Sequence, residues 1–439
     1  MTASSSLPVE CDVVVIGGGP GGSTASALLA ARGYDVVLLE RERHPRPHVG
    51  ESLIPHFWPY VDELGATARV LQEGFIRKSG GTVIWNDDIR QLSFGDFGFD
   101  RPALHVEREV FDAILFETAR ERGVQAFERV SATKIELSEP RQLVRWRDLE
   151  SGGEGELRCR YVVDASGQNS LLSRQLNLRV VDEAFRFLAM WGYYEDSRYI
   201  GDGGGVYPAS KVQEEAPTTT VESVGADQGW LWHIPMRVST SVGLLLPPQE
   251  LKRRGAAGAA SVERFYHETV ASTAYASKLV ESARFVPGSF GMTRDYSYSS
   301  RQYAGPGYFL VGDAAAFVDP LFSVGVVFAL YSGFAAAAML DRCLKKPARA
   351  SQRERFYNEQ MRARVALARA LALPSYSDAV EIDPSVRAFF ELESSNERAM
   401  IATVASLTNR SRNLDELSPG KYYESRAHTL AGIDFDRPG

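Results

Sequence analysis

The stretch CDVVVIGGGPGGSTASALLAARGYDVVLLERE, residues 11–42, decides the fold of this 439-residue chain. Its first part, Val13–Ile16, is a continuous β-branched run, which is typical of a parallel strand buried on both faces. A glycine turn follows, then small apolar residues suited to a helix packed close to a sheet, and then a second apolar strand over 35–40. This order predicts a Rossmann-like unit.

The glycine turn has the spacing Gly17-x-Gly19-x-x-Gly22, and Glu40 follows 18 residues after the last glycine. Gly17 permits a tight turn, Gly19 lets a pyrophosphate approach, and Gly22 allows close packing of helix on sheet. The N-terminus of the following helix offers free N–H groups to phosphates. Glu40 ends the second strand, where it can accept hydrogen bonds from a ribose. The motif predicts a dinucleotide-binding site. NAD alone would satisfy this motif, so the motif does not identify the cofactor.

The composition is that of an ordinary globular protein, with 44% apolar and 24% charged residues. The net charge of −7 argues against nucleic acid as a partner. Cys11, Cys159 and Cys343 form neither a metal-ligand spacing nor a disulfide framework, which favours a reducing, cytoplasmic setting. The N-terminus lacks the apolar core of a signal peptide. An uncharged run over 320–340 is long enough for a membrane span, but its serines and glycines favour a buried helix.

The rest of the chain alternates between two kinds of pattern. Buried strands recur in RYVVDASG (160–167) and GYFLVGDAA (307–315), whereas 80–97 and about 186–290 alternate apolar and polar residues as antiparallel strands do. We therefore predict an α/β fold (α+β overall), in which a Rossmann-like domain is interleaved with an antiparallel β-sheet substrate domain. The predicted ranges are about 10–85, 106–180 and 290–340 for the nucleotide-binding module, 86–105 and 181–289 for the sheet, and 341–439 for a C-terminal helical region.

Two later motifs favour FAD over NAD. In YFLVGDAAAFVDP, Asp313 follows a buried strand and a glycine, where it can meet the sugar-like chain of a flavin. Together with VVDASG and the glycine turn, this motif resembles the flavoproteins of the aromatic-hydroxylase superfamily over roughly residues 10–340. The resemblance implies a bound FAD, and it implies that Arg108 of VEREVFDAIL reaches the cofactor.

Four further stretches narrow the branch: HVGESLIP with Ser52, GFIRKSGGTVIW with Lys78, GWLWHIP with Trp230 and Trp232, and DPLFSVGVVFAL with Val324 and Gly325. Together they resemble the flavin-dependent halogenases. Alternation at a period of two points both indoles to one face of a strand. The resemblance implies that these indoles form a channel wall between flavin and substrate. Simple core packing is the alternative.

The same resemblance implies a two-component enzyme that receives reduced FAD from a separate flavin reductase. Oxygen and chloride then yield hypochlorous acid, which reaches the Lys78 amine. The amine either forms a chloramine or donates a hydrogen bond that makes the chlorine more electrophilic, and burial suits a lysine to both roles. The halide site of the family maps onto Val324 and Gly325, where backbone N–H groups meet at the start of a helix.

The chain departs from the halogenases of free tryptophan at two points. Phe322 stands where they have a glutamate, and the chain lacks their long C-terminal extension. We therefore expect a phenol or pyrrole substrate in natural-product biosynthesis, either free or tethered to an acyl or peptidyl carrier protein. An Arg-rich stretch over 353–369 could dock an acidic carrier or reductase, and a solvated helix face is the plainer explanation.

Three other functions fit parts of the pattern. A single-component aromatic hydroxylase would reduce its own FAD with NAD(P)H. A prenyl-chain reductase shares the GES-like and GD motifs, but usually has an aromatic-Gly-Trp-apolar-Phe-Pro sequence at the position of the paired tryptophans. A non-enzymatic flavin-binding role would require Lys78 to be exposed and the channel blocked.

Overall fold

A computed structural model of the chain describes residues 7–85, 88–183, 186–225, 229–253, 258–294, 297–372 and 428–435. The strands of the first half are β1 (Val13–Ile16), β2 (Val36–Glu40), β3 (Ser52–Leu53), β4 (Ile76–Lys78), β5 (Gly80–Trp85), β6 (Asp88–Ser93), β7 (Ala103–His105), β8 (Gln125–Glu128), β9 (Val130–Glu136), β10 (Gln142–Asp148), β11 (Glu154–Cys159) and β12 (Tyr161–Asp164). Those of the second half are β13 (Arg179–Val181), β14 (Leu188–Glu195), β15 (Tyr199–Ile200), β16 (Val206–Tyr207), β17 (Thr218–Val224), β18 (Gly229–Pro235), β19 (Thr240–Leu246), β20 (Arg284–Phe285), β21 (Gly291–Arg294), β22 (Tyr298–Ser300), β23 (Ala304–Gly305), β24 (Tyr308–Leu310) and β25 (His428–Thr429). The helices are α1 (Pro20–Ala30), α2 (Trp58–Glu63), α3 (Thr67–Gln72), α4 (Arg108–Glu121), α5 (Leu171–Gln175), α6 (Pro248–Arg253), α7 (Ala259–Ser272), α8 (Ala276–Leu279), α9 (Gly325–Lys345) and α10 (Ala350–Ala372).

A six-stranded sheet in the order β23-β24-β12-β1-β2-β8 carries the glycine turn and forms the predicted nucleotide-binding side. Its strands are parallel except for the edge strand β23. All four residues of β1 are buried, because the strand is central and covered on both faces. Helix α1 packs against α4 and α9. The Rossmann-like prediction is confirmed.

A second sheet of nine strands has the order β20-β14-β19-β18-β17-β5-β6-β25, with β21 also paired to β14. Its pairs are antiparallel, as predicted, except that β17 and β5 run parallel. Strand β5 thus lies in this sheet, although the predicted boundary placed residues up to 85 with the nucleotide-binding module. The apolar–polar alternation of 80–97 indicated the sheet correctly, whereas the division into modules stays a prediction.

A small antiparallel sheet, β3-β7-β4, brings distant segments together. Ser52 of β3 lies opposite His105 of β7, and Lys78 of β4 lies opposite Ala103. These strands have only two or three residues each, so they are held by their surroundings rather than by their own length.

The C-terminal region is only partly helical. Helix α10 fulfils the prediction up to Ala372, and residues 373–427 lie outside the described ranges. Beyond them, β25 pairs with β6 as an edge strand of the nine-stranded sheet. The prediction of a helical region through residue 439 is wrong for His428–Thr429, because a two-residue edge strand has no periodicity from which it could be recognised.

The uncharged run over 320–340 lies mostly in α9, which is long and apolar enough to span a membrane by length and composition. Half of its most apolar window is nevertheless buried within the protein. Gly333 allows this packing, since a Cβ at Gly333 would overlap the carbonyl oxygen of Gly21 in α1. The run is a buried helix of the nucleotide-binding side, as predicted.

We expect Gly333→Ala to lower the free energy of unfolding by about 1–3 kcal/mol, because the new methyl group meets backbone that cannot yield. The expected loss is the net change, after the gain of about 1 kcal/mol that alanine brings inside a helix. Gly325→Ala is the matched control, since a Cβ at Gly325, in the same helix, has no neighbour within 4 Å among the described residues. Urea unfolding of both variants checks the prediction, and equal stabilities would contradict the close contact of α1 and α9.

Candidate active site

The glycine turn adopts a conformation that side chains would prevent. Gly17 has a φ of +99°, and a Cβ there would overlap the carbonyl oxygen of Ala165. A Cβ at Gly22 would overlap the carbonyl oxygen of Gly17, so the helix starts directly against the turn. Both positions require glycine for the reasons that the motif predicted.

Glu40 closes the turn from the end of β2. Its Oε2 accepts the N–H of Gly18 at 2.6 Å, and its Oε1 accepts the N–H of Glu42 at 2.8 Å. The side chain is buried, and a carboxylate has further lone pairs, so Glu40 can still accept hydrogen bonds from a ribose. The ribose contact itself stays a prediction.

The start of α1 is open toward a ligand. No side chain caps the helix at Gly19, and the position of a Cβ there has one neighbour within 4 Å among the described residues, the guanidinium of Arg46 at 3.4 Å. Free helix N–H groups beside a cation form a suitable cradle for a pyrophosphate. These residues therefore fit the dinucleotide part of FAD. No sequence pattern pointed to Arg46, because its place beside the turn depends on the fold of the loop after β2.

Arg108 is held by a buried ion pair with Asp112 one turn further along α4, with N–O distances of 2.8 and 3.0 Å. Although burial opposes it, the Arg108 guanidinium holds the pKa of Asp112 below its usual value. Arg108 also donates to the carbonyl oxygens of Val49 and Gly50. In this arrangement Arg108 anchors the loop that leads to Ser52, and its predicted reach to the cofactor stays a prediction.

Asp313 lies at the end of β24 in the turn before α9, and burial raises its pKa to about 6. It lines a cavity of about 540 Å³ together with Val324 and Gly325. Aromatic side chains line much of the remaining wall, among them Trp58, Phe322, Phe328 and Tyr331. The predicted flavin residue and the predicted halide residues thus share one largely apolar space.

The hydroxyl group of Ser52 joins three of the predicted motifs. It accepts a hydrogen bond from the Lys78 amine at 2.8 Å and one from the Ser323 hydroxyl at 2.9 Å. Lys78 is 5% exposed, and burial lowers its pKa to about 7. The structure therefore brings the predicted catalytic lysine within two hydrogen bonds of the turn that precedes Val324.

Two residues that the sequence did not indicate complete this group. The Oγ1 of Thr219 lies 2.9 Å from the Ser52 oxygen and 2.8 Å from Nε2 of His105. The Nδ1 of His105 lies 2.8 Å from the carbonyl oxygen of Pro235. A lone histidine and one threonine of a TTT run have no local pattern that marks them.

The paired indoles of Trp230 and Trp232 lie on one face of β18, with ring centroids 5.9 Å apart and planes at 56°. Both are buried, and the Trp232 indole lies over Gly243, where a side chain would overlap it. They belong to the same apolar cluster as Phe322 and Val324. The indoles therefore pack toward the predicted halide turn, whereas their role as a channel wall stays a prediction.

The predicted halide turn has open space above its backbone. Ser323 takes a left-handed φ of +57°, and its hydroxyl group donates to Ser52. Val324 caps α9 without a side-chain hydrogen bond, and a Cβ at Gly325 would meet nothing within 4 Å among the described residues. The backbone N–H groups at this helix start are thus free to approach an anion.

Comparison with known proteins identifies the family. A family model described as tryptophan halogenase matches residues 98–385, and one described as FAD dependent oxidoreductase matches residues 12–175. A flavin-dependent halogenase of Armillaria mellea, armH3, is 35% identical over 358 residues, which are 77% of this chain and 69% of that protein. The chain belongs to the flavin-dependent halogenases. This confirms the predicted family, and with it FAD as the cofactor.

Other relatives agree with this assignment. A tryptophan 2-halogenase of Chondromyces crocatus is 39% identical to this halogenase over 341 residues, or 76% of this chain. The match spans only 61% of the length of that relative. The solved structure of the myxobacterial chondrochloren halogenase CndH superposes with a TM-score of 0.75 at 28% identity, covering 95% of this chain and 94% of that one.

We expect Glu40→Ala to weaken FAD binding by about tenfold, because it removes two hydrogen bonds that shape the turn and the acceptor for the ribose. Glu42→Ala, in the same loop with a half-exposed side chain, is the matched control. Titration with FAD, followed by flavin fluorescence, measures both affinities. If both variants bind FAD like the wild-type halogenase, the ribose assignment is wrong.

Burial of Lys78 also predicts how stability depends on pH. The ordinary pKa of 10.5 in the unfolded chain falls to about 7 in the folded halogenase, so between these values the unfolded chain binds one more proton. Stability should therefore rise with pH in this window by about 1.4 kcal/mol per unit. We expect Lys78→Met to lose this slope, and the exposed Lys134→Met to keep it. Urea unfolding at pH 7, 8 and 9 checks this. If the free energy of unfolding depends on pH in the same way in Lys78→Met and the wild type, the pKa of the Lys78 amine is not lowered.

Proposed function

We propose that this halogenase uses reduced FAD, oxygen and chloride to chlorinate an electron-rich aromatic substrate, with Lys78 as the catalytic residue. The observation that supports this function is the hydroxyl group of Ser52, which contacts both the buried amine and Ser323. A lysine of this kind would serve no evident purpose in a plain apolar core, because burying an amine costs free energy. Next to a halide site, a buried amine can react with the hypochlorous acid that forms from chloride.

The cofactor would be held by the glycine turn, by Glu40 and by Arg46 at the start of α1. When bound in reduced form, FAD supplies the two electrons with which oxygen and chloride yield hypochlorous acid and water. Chloride would bind at the backbone N–H groups of Val324 and Gly325, where α9 begins. The family as a whole supports a separate flavin reductase as the source of reduced FAD.

The Lys78 amine can act on hypochlorous acid in its neutral form. The nitrogen lone pair forms the N–Cl bond, the Cl–O bond breaks, and the leaving hydroxide takes one amine proton to become water. Chlorine then passes to the aromatic ring, whose displaced proton returns to the amine. The charged amine can instead donate a hydrogen bond to hypochlorous acid. A pKa of about 7 makes both forms available near neutral pH.

The apolar cluster around Trp230 and Trp232 would keep water away from this chemistry. An opening to solvent would let hypochlorous acid escape, and an exposed side chain would consume it before it met the substrate. Leu321 and Phe322 extend the same cluster to the predicted halide turn. The oxidant would thus travel between the cofactor and the lysine along an apolar route.

For the substrate, we infer a phenol or a pyrrole, either free or tethered to a carrier protein. Both rings are electron-rich, so they react with weakly electrophilic chlorine. Phe322 in place of a glutamate supports this choice, because the acidic group expected in halogenases of free tryptophan is missing beside Ser323. The relative from Chondromyces crocatus is named for tryptophan, so the free amino acid is the competing substrate.

We expect Lys78→Ala to abolish chlorination, by at least about 100-fold, while FAD binding stays unchanged. The assay contains FAD, NADH, chloride, oxygen and a flavin reductase, with phenols, pyrroles, carrier-bound pyrroles and tryptophan as substrates, and product is detected by mass spectrometry. Arg77→Ala changes the exposed neighbour in β4 and serves as the control.

Each part of the proposal has its own contradicting result. Chlorination that persists in Lys78→Ala would remove the lysine from the mechanism. Flavin reduction by NADH or NADPH without the reductase would favour a single-component hydroxylase. Product from tryptophan alone would overturn the substrate class and leave the halogenase function intact.

A further inference from the structure

Lys78 is connected to the strand of the paired tryptophans by a continuous run of hydrogen bonds. The run passes from the amine through the hydroxyl groups of Ser52 and Thr219 to the imidazole of His105, and ends at the carbonyl oxygen of Pro235. Each of its bonds is 2.8 or 2.9 Å long, and all of its side chains are buried. We call these residues the relay.

The direction of each bond in the relay follows from its last member. A carbonyl oxygen can only accept, so Nδ1 of His105 carries a proton that it donates to Pro235. In the neutral imidazole Nε2 is then an acceptor, and Thr219 uses its only hydroxyl proton to donate to it. Ser52 must therefore donate its own proton to Thr219. Toward Lys78 the Ser52 oxygen is left as an acceptor only.

This argument requires a neutral His105, and the surroundings ensure it. Burial, with a further contribution from the charge of Lys78, holds the pKa of His105 well below 6.5. His233, the other buried histidine near it, is neutral as well, because burial lowers its pKa to about 3. Ser52 and Thr219 carry no charge, and the relay therefore keeps one direction across the working pH range.

We propose that His105, acting through Thr219 and Ser52, is a positioning residue for Lys78. Because the Ser52 proton is committed to Thr219, it cannot be donated to the lone pair of the neutral amine, which stays available to chlorine. Without the relay, the Ser52 hydroxyl could rotate and donate to that lone pair. This inference rests on the proposed role of Lys78, but it also predicts a property of the amine that can be measured without turnover.

The relay should also favour the charged amine. All of its O–H and N–H dipoles point away from Lys78, so the negative end of the Ser52 hydroxyl faces the amine, and successive bonds strengthen one another. Breaking the relay removes this stabilisation and lets Ser52 donate to the neutral form. Both effects lower the pKa of Lys78.

Thr219→Val tests the relay, because it removes the middle hydroxyl group and keeps the shape of the side chain. Thr219→Ser restores the hydroxyl group. Thr220→Val is the matched control: Thr220 is the next residue of β17, is also buried, and its Oγ1 has no hydrogen-bond partner in the part of the chain that the structure describes. His105→Leu breaks the relay at its other end, in case Thr219→Val does not fold.

The pKa of Lys78 can be measured by NMR on protein labelled with carbon-13 at the lysine Cε. The chain has eight lysines, and the Lys78 signal is the one lost in Lys78→Met. We expect Thr219→Val and His105→Leu to lower this pKa by about half a unit or more. Turnover should fall by about tenfold in the same variants, because a hydrogen bond from Ser52 would then occupy the lone pair of the neutral Lys78 amine. Thr219→Ser and Thr220→Val should keep wild-type values.

The two proposals fail in different ways. An unchanged or raised pKa of Lys78 in both Thr219→Val and His105→Leu would overturn the positioning role, whatever the assays of chlorination show. A lowered pKa in these variants, combined with full chlorination by Lys78→Ala, would support the relay and refute the catalytic role of the lysine.

Discussion

An amine buried without a counter-charge is the constraint around which this halogenase is arranged. Burial alone lowers the pKa of Lys78, and no carboxylate pairs with the amine in the described ranges. A single neutral oxygen, that of Ser52, receives it instead. The Ser52 oxygen uses both lone pairs and its proton, so it has no spare hydrogen-bonding capacity. Small errors in the surrounding backbone would therefore leave a buried polar group unsatisfied.

The groups that bond to the Ser52 oxygen are positioned by elements of different sheets. Ser52 and His105 belong to the small sheet β3-β7-β4, whereas Thr219 belongs to the nine-stranded sheet. A second link lies next to the first, since the Tyr193 hydroxyl of β14 donates to the buried carboxylate of Glu51 at 2.8 Å. Glu51 and Ser52, two adjacent residues, thus fasten the loop after β2 to the nine-stranded sheet. The strands of the small sheet are too short to be stable alone, and these polar contacts fix their register.

Local patterns predicted the parts of the site that lie on single elements. The glycine turn with Glu40, the lysine of β4 and the indoles of β18 were all evident from motif, period or family resemblance. His105 and Thr219 were not, because their proximity depends on strand pairing between distant segments, and Arg46 was not, because its place depends on the fold of the loop after β2. Thr218 lies opposite Gly80 across the parallel pair β17–β5, for example, and no sequence period encodes that pairing. Strand β25 was missed because two residues have no periodicity from which a strand could be recognised.

The interleaving of the two sheets also affects how the chain folds while it is being synthesised. In the six-stranded sheet β12 pairs with β24, although the strands from β14 to β19 lie between them in the sequence. A ribosome therefore releases every strand of the nine-stranded sheet except β25 before β24 and α9 can cover the edge of β12 and the face of α1. Until then the nascent protein carries an open strand edge and an uncovered apolar helix. Newly synthesised halogenase should thus depend on chaperones late in translation, and slower ribosome passage through codons 300–345 would prolong this exposure.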